Sequence, residues 1–256
     1  MLFVCKWFLC FIAYSVIGWI YESTICSINE IKLINRGFLN GPLCPVYGCG
    51  ALVVIFFLNN KTDDVFILFM SGAILTCIVE YLTSYILEKL FNAKWWDYSD
   101  KKFNLNGRIC LLGAAVFGIL TVLVIKFIHP FIYKIICDFS PIALYITSFI
   151  IFIILISDII FTVYHLLLLN GRLAEIQAKI SDYKEEQKLL GEKAKKTFSQ
   201  WLETHYYSIE KIKYQIGKIQ KLQYKRIFKA FPKLNYTKNK EAFEHIKEKL
   251  LNKRKK

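Results

Sequence analysis

The sequence has no Cys-x-x-Cys pair and no Cys/His cluster at ligand spacing, despite eight cysteines and four histidines. That excludes a zinc-organised module. It has no G-x-x-x-x-G-K-[ST] segment, so this chain carries no ATPase built on a phosphate-binding loop. A Ser-His-Asp set and a cofactor fingerprint are missing too. Acidic residues are scarce, 20 against 34 Lys and Arg, for a formal net charge of +14. The shortage is local. Residues 1–169 hold 11 basic and 10 acidic side chains, whereas residues 170–256 hold 23 and 10. An apolar two-thirds joined to a basic third is neither one ordinary soluble globule nor a disordered polymer.

What is present is a series of apolar runs, at 2–26, 38–58, 65–90, 109–128 and 141–169. Each reaches the roughly 20 residues that a bilayer-spanning helix needs. The first contains Lys6, lacks a separate basic leader and has no clear small-residue cleavage site, so it reads as a retained helix. Seven of the eight cysteines lie in or beside these runs and read as small apolar residues; Cys137 sits in a connector. The fold expected is all-α and polytopic, with about five transmembrane helices over 1–169 and a basic helical tail over 170–256. With the tail in the cytoplasm, the connectors after runs one and three carry Lys32, Arg36, Lys89, Lys94, Lys101, Lys102 and Arg108. The other side receives Lys6, Lys61, Lys126 and Lys134. The positive-inside rule then places the N-terminus outside and the C-terminus in the cytoplasm.

In the tail, Leu173, Ile176 and Ile180 recur at helical spacing, as do Ile209, Ile212, Ile216 and Ile219. Gly191 between them suggests a coiled-coil-like helical hairpin, and a shorter helix is expected over 239–251. The surplus of Lys reads either as a solvated helix face or as attraction to anionic lipid; nucleic acid is not an expected partner.

Chemistry is expected where polar groups interrupt apolar runs. Thr76, Glu80, Ser84 and Glu88 recur every four residues and form one stripe on a helix. Run one has a shorter counterpart in Ser15, Gly18 and Glu22, and run five has Asp158, Thr162 and His165. A carboxylate at bilayer depth costs roughly 2.5–3.5 kcal/mol on insertion scales, so these faces should turn inward. The connector 35–48 holds two prolines and five glycines or asparagines and cannot be a continuous helix. Non-helical backbone at the membrane edge is tolerated only when buried in protein or lining a cavity. The second connector carries Trp95, Trp96 and Tyr98, which suit the headgroup belt.

The two connectors share a pattern. Leu39-Asn40-Gly41 with Cys44 matches Leu105-Asn106-Gly107 with Cys110, and at the same 66-residue offset Glu22 falls on Glu88. This suggests two parallel hairpins related about the membrane normal. Leu169-Asn170-Gly171 is a third copy, expected at a helix end where Gly is a routine cap. In the repeat reading Asn40 and Asn106 cap outgoing helices, and Arg36 and Arg108 add fixed positive charge. Glu22 and Glu88 oppose it. The expected site is a polar pocket with an anionic ligand, lined by Glu22, Arg36, Asn40, Glu80, Glu88, Asp97, Asn106 and Arg108. A purely structural ion-pair network is the competing reading.

Several rare residues occur in a distinctive order. They are Tyr14-Ser15-x-x-Gly18-Trp19-x-x-Glu22, then Asn35-Arg36-Gly37-Phe38-Leu39-x-Gly41-Pro42-x-Cys44-Pro45-x-Tyr47-Gly48, then Trp95-Trp96-Asp97-Tyr98-Ser99 and Asn104-Leu105-x-Gly107-Arg108-Ile109. Over about residues 8–165 this resembles the bacterial membrane-protein family labelled ABC-transporter permease, type IV (CmpB-like). The segment from Phe228 to Leu234 is similar to the end of such proteins. The resemblance implies a multi-pass protein of the bacterial plasma membrane, and it brings no substrate. On it, the chain is a permease subunit without enzymatic activity or cofactor. Its expected partners are the lipid bilayer, a separate ATPase subunit docking on 28–36 and 91–102, a second copy in a homo-oligomer, and an anionic small molecule or lipid headgroup. The alternative is a membrane enzyme on an anionic lipid headgroup, with Glu80 or Asp97 as base and Arg36 and Arg108 as phosphate clamps. A third is an interaction protein that docks through its coiled coil.

Overall fold

A computed structural model describes residues 1–189, 222–244 and 247. The chain is a helical bundle whose only sheet, among the described residues, is two short two-stranded ribbons. Four helices are long and apolar enough to cross a membrane: Leu2–Ile28, Val65–Phe91, Leu111–Cys137 and Pro141–Glu186. In the full assignment α1 is Leu2–Glu30, α2 Pro45–Leu58 and α3 Val65–Phe91. The next crossing is α4 (Leu111–Leu123), a π-helical turn (Val124–Ile128) and α5 (His129–Cys137). Then comes α6 (Pro141–Leu189), and α7 (Leu222–Ala230) lies in the tail.

The second apolar run departs from expectation. Its helix has 14 residues, and Phe38–Cys44 is not helical. Fourteen residues rise about 21 Å, short of the roughly 30 Å hydrocarbon core. Pro45 explains the start: it sits at the first helical position, where its missing N–H is harmless, and Pro42 bars an earlier one. The chain therefore passes five times through the bundle, four times as a full-length helix. Both connectors, 31–44 and 92–110, lie on the side where α6 emerges, which we call the tail side.

The bundle packs as two hairpins closed by glycines. A Cβ on Gly18 would come within 2.3 Å of Tyr47 Cβ and Cγ, and one on Gly48 would meet Ser15 and Phe11. In the second hairpin the same role falls to Gly72 against Thr121 and Gly118 against Phe69.

Two further expectations fail here. Leu169-Asn170-Gly171 does not end a helix; α6 runs through it without a break. Leu166, Leu169, Leu173, Ile176 and Ile180 form one buried stripe across it, and that packing outweighs the modest helix cost of a glycine. Trp95 is not in a headgroup belt. It is 2% exposed, in a core with Phe38, Phe91 and Phe231, its ring centroid 5.0 Å from both Phe38 and Phe231. The same core holds Ile227, Phe228, Leu234, Tyr236 and Phe243 of the tail, and β1 (Ala93–Lys94) pairs with β4 (Asn235–Tyr236). The tail thus folds back onto the second connector. A helix starts at Lys240, close to the expected 239, whereas Ile209, Ile212, Ile216, Ile219 and the turn at Gly191 lie outside the described residues.

Packing at Gly72 and its absence at Gly171 give a paired test. Gly72→Leu should lower the melting temperature of the detergent-solubilised protein by several degrees, because Thr121 fills the space. Gly171→Ala, with nothing within 4 Å, should leave it unchanged or raise it through helix propensity of up to about 1 kcal/mol.

Candidate functional site

Connector 31–44 enters the bundle as irregular backbone, and its polar groups need partners there. Asp158 supplies most of them. This residue lies 17 positions into α6, about 26 Å along the helix. Its carboxylate accepts from the Asn40 backbone N–H at 3.0 Å, the Asn40 side-chain amide at 3.0 Å and the Gly41 N–H at 2.8 Å. Thr162 accepts the second Asn40 amide hydrogen at 3.0 Å. Deeper in, the Cys44 N–H donates to the Ser15 carbonyl at 2.9 Å. At the outer turn Trp19 donates to Asn35, which donates to the Asn40 carbonyl. The third polar residue of that stripe, His165, meets the Phe161 and Tyr164 rings of its own helix edge-on.

Asn40 is therefore a clamp on α6, and not a helix cap. The caps are Cys44 on α2 and Cys110 on α4, where the Cys110 sulfur accepts from the Gly113 N–H. Asn106 is no cap either: it sits at φ +55° and donates to the Tyr81 hydroxyl at 2.9 Å. The caps fell four residues after each asparagine because Pro45 and the β2–β3 ribbon (Asn104–Leu105, Ile109–Cys110) delay the helices. The 66-residue offset survives, since Cys44 and Cys110 are separated by it. Asn40 and Asn106 also lie on the same side of the bundle.

Charged and hydroxyl side chains meet between the hairpins toward the tail side. Arg36 Nε lies 3.0 Å from Glu22 Oε2, and the Tyr47 hydroxyl donates to Glu22 Oε1 at 2.6 Å. Glu80 is 8% exposed and accepts from the Tyr98 hydroxyl at 3.4 Å; Ser84, one turn on, is 4% exposed. Glu80 and Ser84 of the expected stripe thus turn inward, and Glu80's polar neighbour comes from the second connector. Burial pushes the Tyr98 hydroxyl above its ordinary range, and the Glu80 and Glu22 charges push it the same way.

Glu88 belongs to another face of α3. It pairs with Arg108 at 2.5 Å, while the Arg108 guanidinium stacks over Tyr81 and Tyr85 at 5.3 and 5.4 Å. Each arginine is thus neutralised by the glutamate of its own hairpin. Arg36 turns toward the tail, donating to the Ala230 carbonyl and lying 5.4 Å from the Phe231 ring, whereas Arg108 turns to Tyr81 and Tyr85. Asp97 is spent on local structure: it accepts from the Ser99 N–H and hydroxyl, and that hydroxyl holds its carboxyl below the usual range.

The structure thus joins Glu22, Arg36 and Glu80, sets Asn40 on Asp158, and gathers Glu88, Asn106 and Arg108 on the outer face of α3. Sequence reasoning passed over Tyr47, Tyr98 and Arg226. Arg226 donates to the carbonyls of Gly37 and Phe38 at 2.8 and 3.2 Å, latching the tail onto the first connector. Tyr47 and Tyr98 stood inside the ordered motifs and carried that signal; Arg226 carried none.

Residues 9–163 match the family described as "Putative ABC-transporter type IV". This chain belongs to that family. The match covers the membrane helices, both connectors and Asp158, and it stops before the tail segment that latches onto them. No curated protein and no solved structure shows a significant match.

The clamp can be tested directly. Asp158→Ala leaves the Asn40 and Gly41 N–H groups without an acceptor, each at a cost of about 1–3 kcal/mol. It should expose 35–44 to limited proteolysis from the tail side, whereas Ser157→Ala on the outer face of α6 should not.

Proposed function

We propose that this member of the family is the membrane-embedded permease subunit of a transporter whose ATPase is a separate polypeptide. On this reading it is a non-enzymatic, multi-pass protein of the bacterial plasma membrane, with its N-terminus outside and its tail side in the cytoplasm. The observation that carries the proposal is the set of polar side chains between the hairpins, Glu22 with Arg36 and Tyr47, and Glu80 with Tyr98, close enough for the Glu22 charge to act on Tyr98. A membrane helix keeps a carboxylate such as Glu80 turned inward at considerable insertion cost, and a polar route for a solute is one of the functions for which such groups persist. The six basic residues of the two connectors, with Lys89 beside them, support the orientation.

On this reading the ATPase docks at the end of α1. The stretch 91–95 is covered by this chain's own tail, through Phe231 and β4. By contrast Ile28, Ile31 and Leu33 are 70%, 90% and 101% exposed at the end of α1. An apolar knob at the cytoplasmic end of a span is the open surface here.

Affinity purification of the full chain from its native membranes should recover an ATPase subunit in comparable amount. The double change Ile31→Glu, Leu33→Glu should remove that subunit while leaving the melting temperature of the permease unchanged. Glu80→Gln should keep the ATPase bound yet lower solute-dependent ATP turnover about tenfold, the effect of losing one charged hydrogen bond. Recovery of the chain with no ATPase would sink the reading.

A further inference from the structure

The outer face of α3 and α4 carries a groove of about 560 Å³ whose lining is entirely apolar, including Ala73, Cys77 and Tyr81 of α3 and Ala114 and Ala115 of α4. Small residues open it and larger exposed ones, Ile74 and Leu111 among them, form its rims. At its tail-side end stands Arg108. Tyr81 belongs to both features: it lines the groove and lies beneath the Arg108 guanidinium. Glu88 engages one amino group of that guanidinium, while Arg108 Nε is buried without a hydrogen-bond partner. Lys89 lies over the adjacent Tyr85 at 5.6 Å, so two cations face one carboxylate at the groove's mouth.

We infer that this groove is a binding site for one anionic phospholipid of the tail-side leaflet, its phosphate on Arg108 and one acyl chain between α3 and α4. Three observations fit together. The lining from Phe69 to Leu82 runs about 20 Å along the helix, more than the roughly 15 Å half-thickness of the hydrocarbon core. The cations lie at one end of the groove, at the level where a leaflet's phosphates would be. Arg108 and Lys89 together outnumber Glu88, so this end of the groove keeps one positive charge in excess, which a lipid phosphate would answer. A transmembrane helix from another subunit would fill the apolar length but leave that excess charge unanswered. The site is separate from the inward cluster at Glu80, because Tyr81, Tyr85 and Glu88 form a different stripe of α3.

The test uses the full-length protein, purified, stripped of lipid and placed in nanodiscs of phosphatidylcholine with increasing phosphatidylglycerol. Bound lipid is read by native mass spectrometry after release into mild detergent. The expected result is one tightly held phosphatidylglycerol per chain, retained about tenfold over phosphatidylcholine, the scale of one charged hydrogen bond. Arg108→Gln should abolish the preference. Because that change strands Glu88, the double variant Glu88→Gln, Arg108→Gln is measured beside it and should behave alike. Ala115→Phe, which fills the groove, should lose the lipid with the ion pair still in place, while Lys101→Gln should bind as the parent does. Equal retention of the two lipids would overturn the inference, as would full retention in the double variant. So would a groove variant that keeps its lipid but loses a second copy or a partner subunit, which would make the groove a protein interface.

Discussion

A backbone that leaves the helical path inside an apolar bundle must find acceptors for its N–H groups there, and Asp158 is where this chain finds them. Three N–H donors from Asn40 and Gly41 converge on that one carboxylate, and Thr162 takes a fourth. Much else follows from the shape this gives the connector. Phe38 is delivered into the core with Phe91 and Trp95, Arg36 is brought onto Glu22, and the carbonyls of Gly37 and Phe38 are left facing Arg226. The tail is thereby tied to a loop that is itself tied to α6. A carboxylate at this depth is costly alone, and here it is fully occupied.

The two hairpins solve the same electrostatic problem separately. Each brings a glutamate near the tail-side end of its ingoing helix, and each answers it with an arginine from its own connector. The spacing differs, 14 residues in one and 20 in the other, because the second connector inserts the β2–β3 ribbon before its outgoing helix. Helix α3 presents one polar stripe inward, with Glu80 and Ser84, and another outward, with Tyr81, Tyr85 and Glu88. The first suits passage through the bundle and the second suits the bilayer around it, so one helix serves both proposed contacts.

Much of this was legible in the linear chain. The apolar runs marked the helices, because a membrane helix must be apolar over its whole length and interrupts that rule only under constraint. The i+4 spacing of Thr76, Glu80, Ser84 and Glu88 suggested one face; Glu80 and Ser84 are buried on it, whereas Glu88 falls on the outer stripe with Arg108. The non-helical character of 40–44 followed from the prolines, glycines and asparagines around it.

What the chain could not announce was who meets whom. Asn40 looked like a helix cap, since an asparagine before an apolar run usually is; its partner proved to be 118 residues away on α6. Trp95 looked like a headgroup anchor until Phe231, far down the chain, buried it. Gly171 looked like a helix end, yet α6 continues because its apolar stripe packs on both sides of that glycine. Periodicity and proline are local properties, fixed by backbone sterics and by the bilayer, so sequence alone determined the helices and their polar faces. Pairings between distant segments depend on which surfaces the folded chain brings together, and only the tertiary structure decided those.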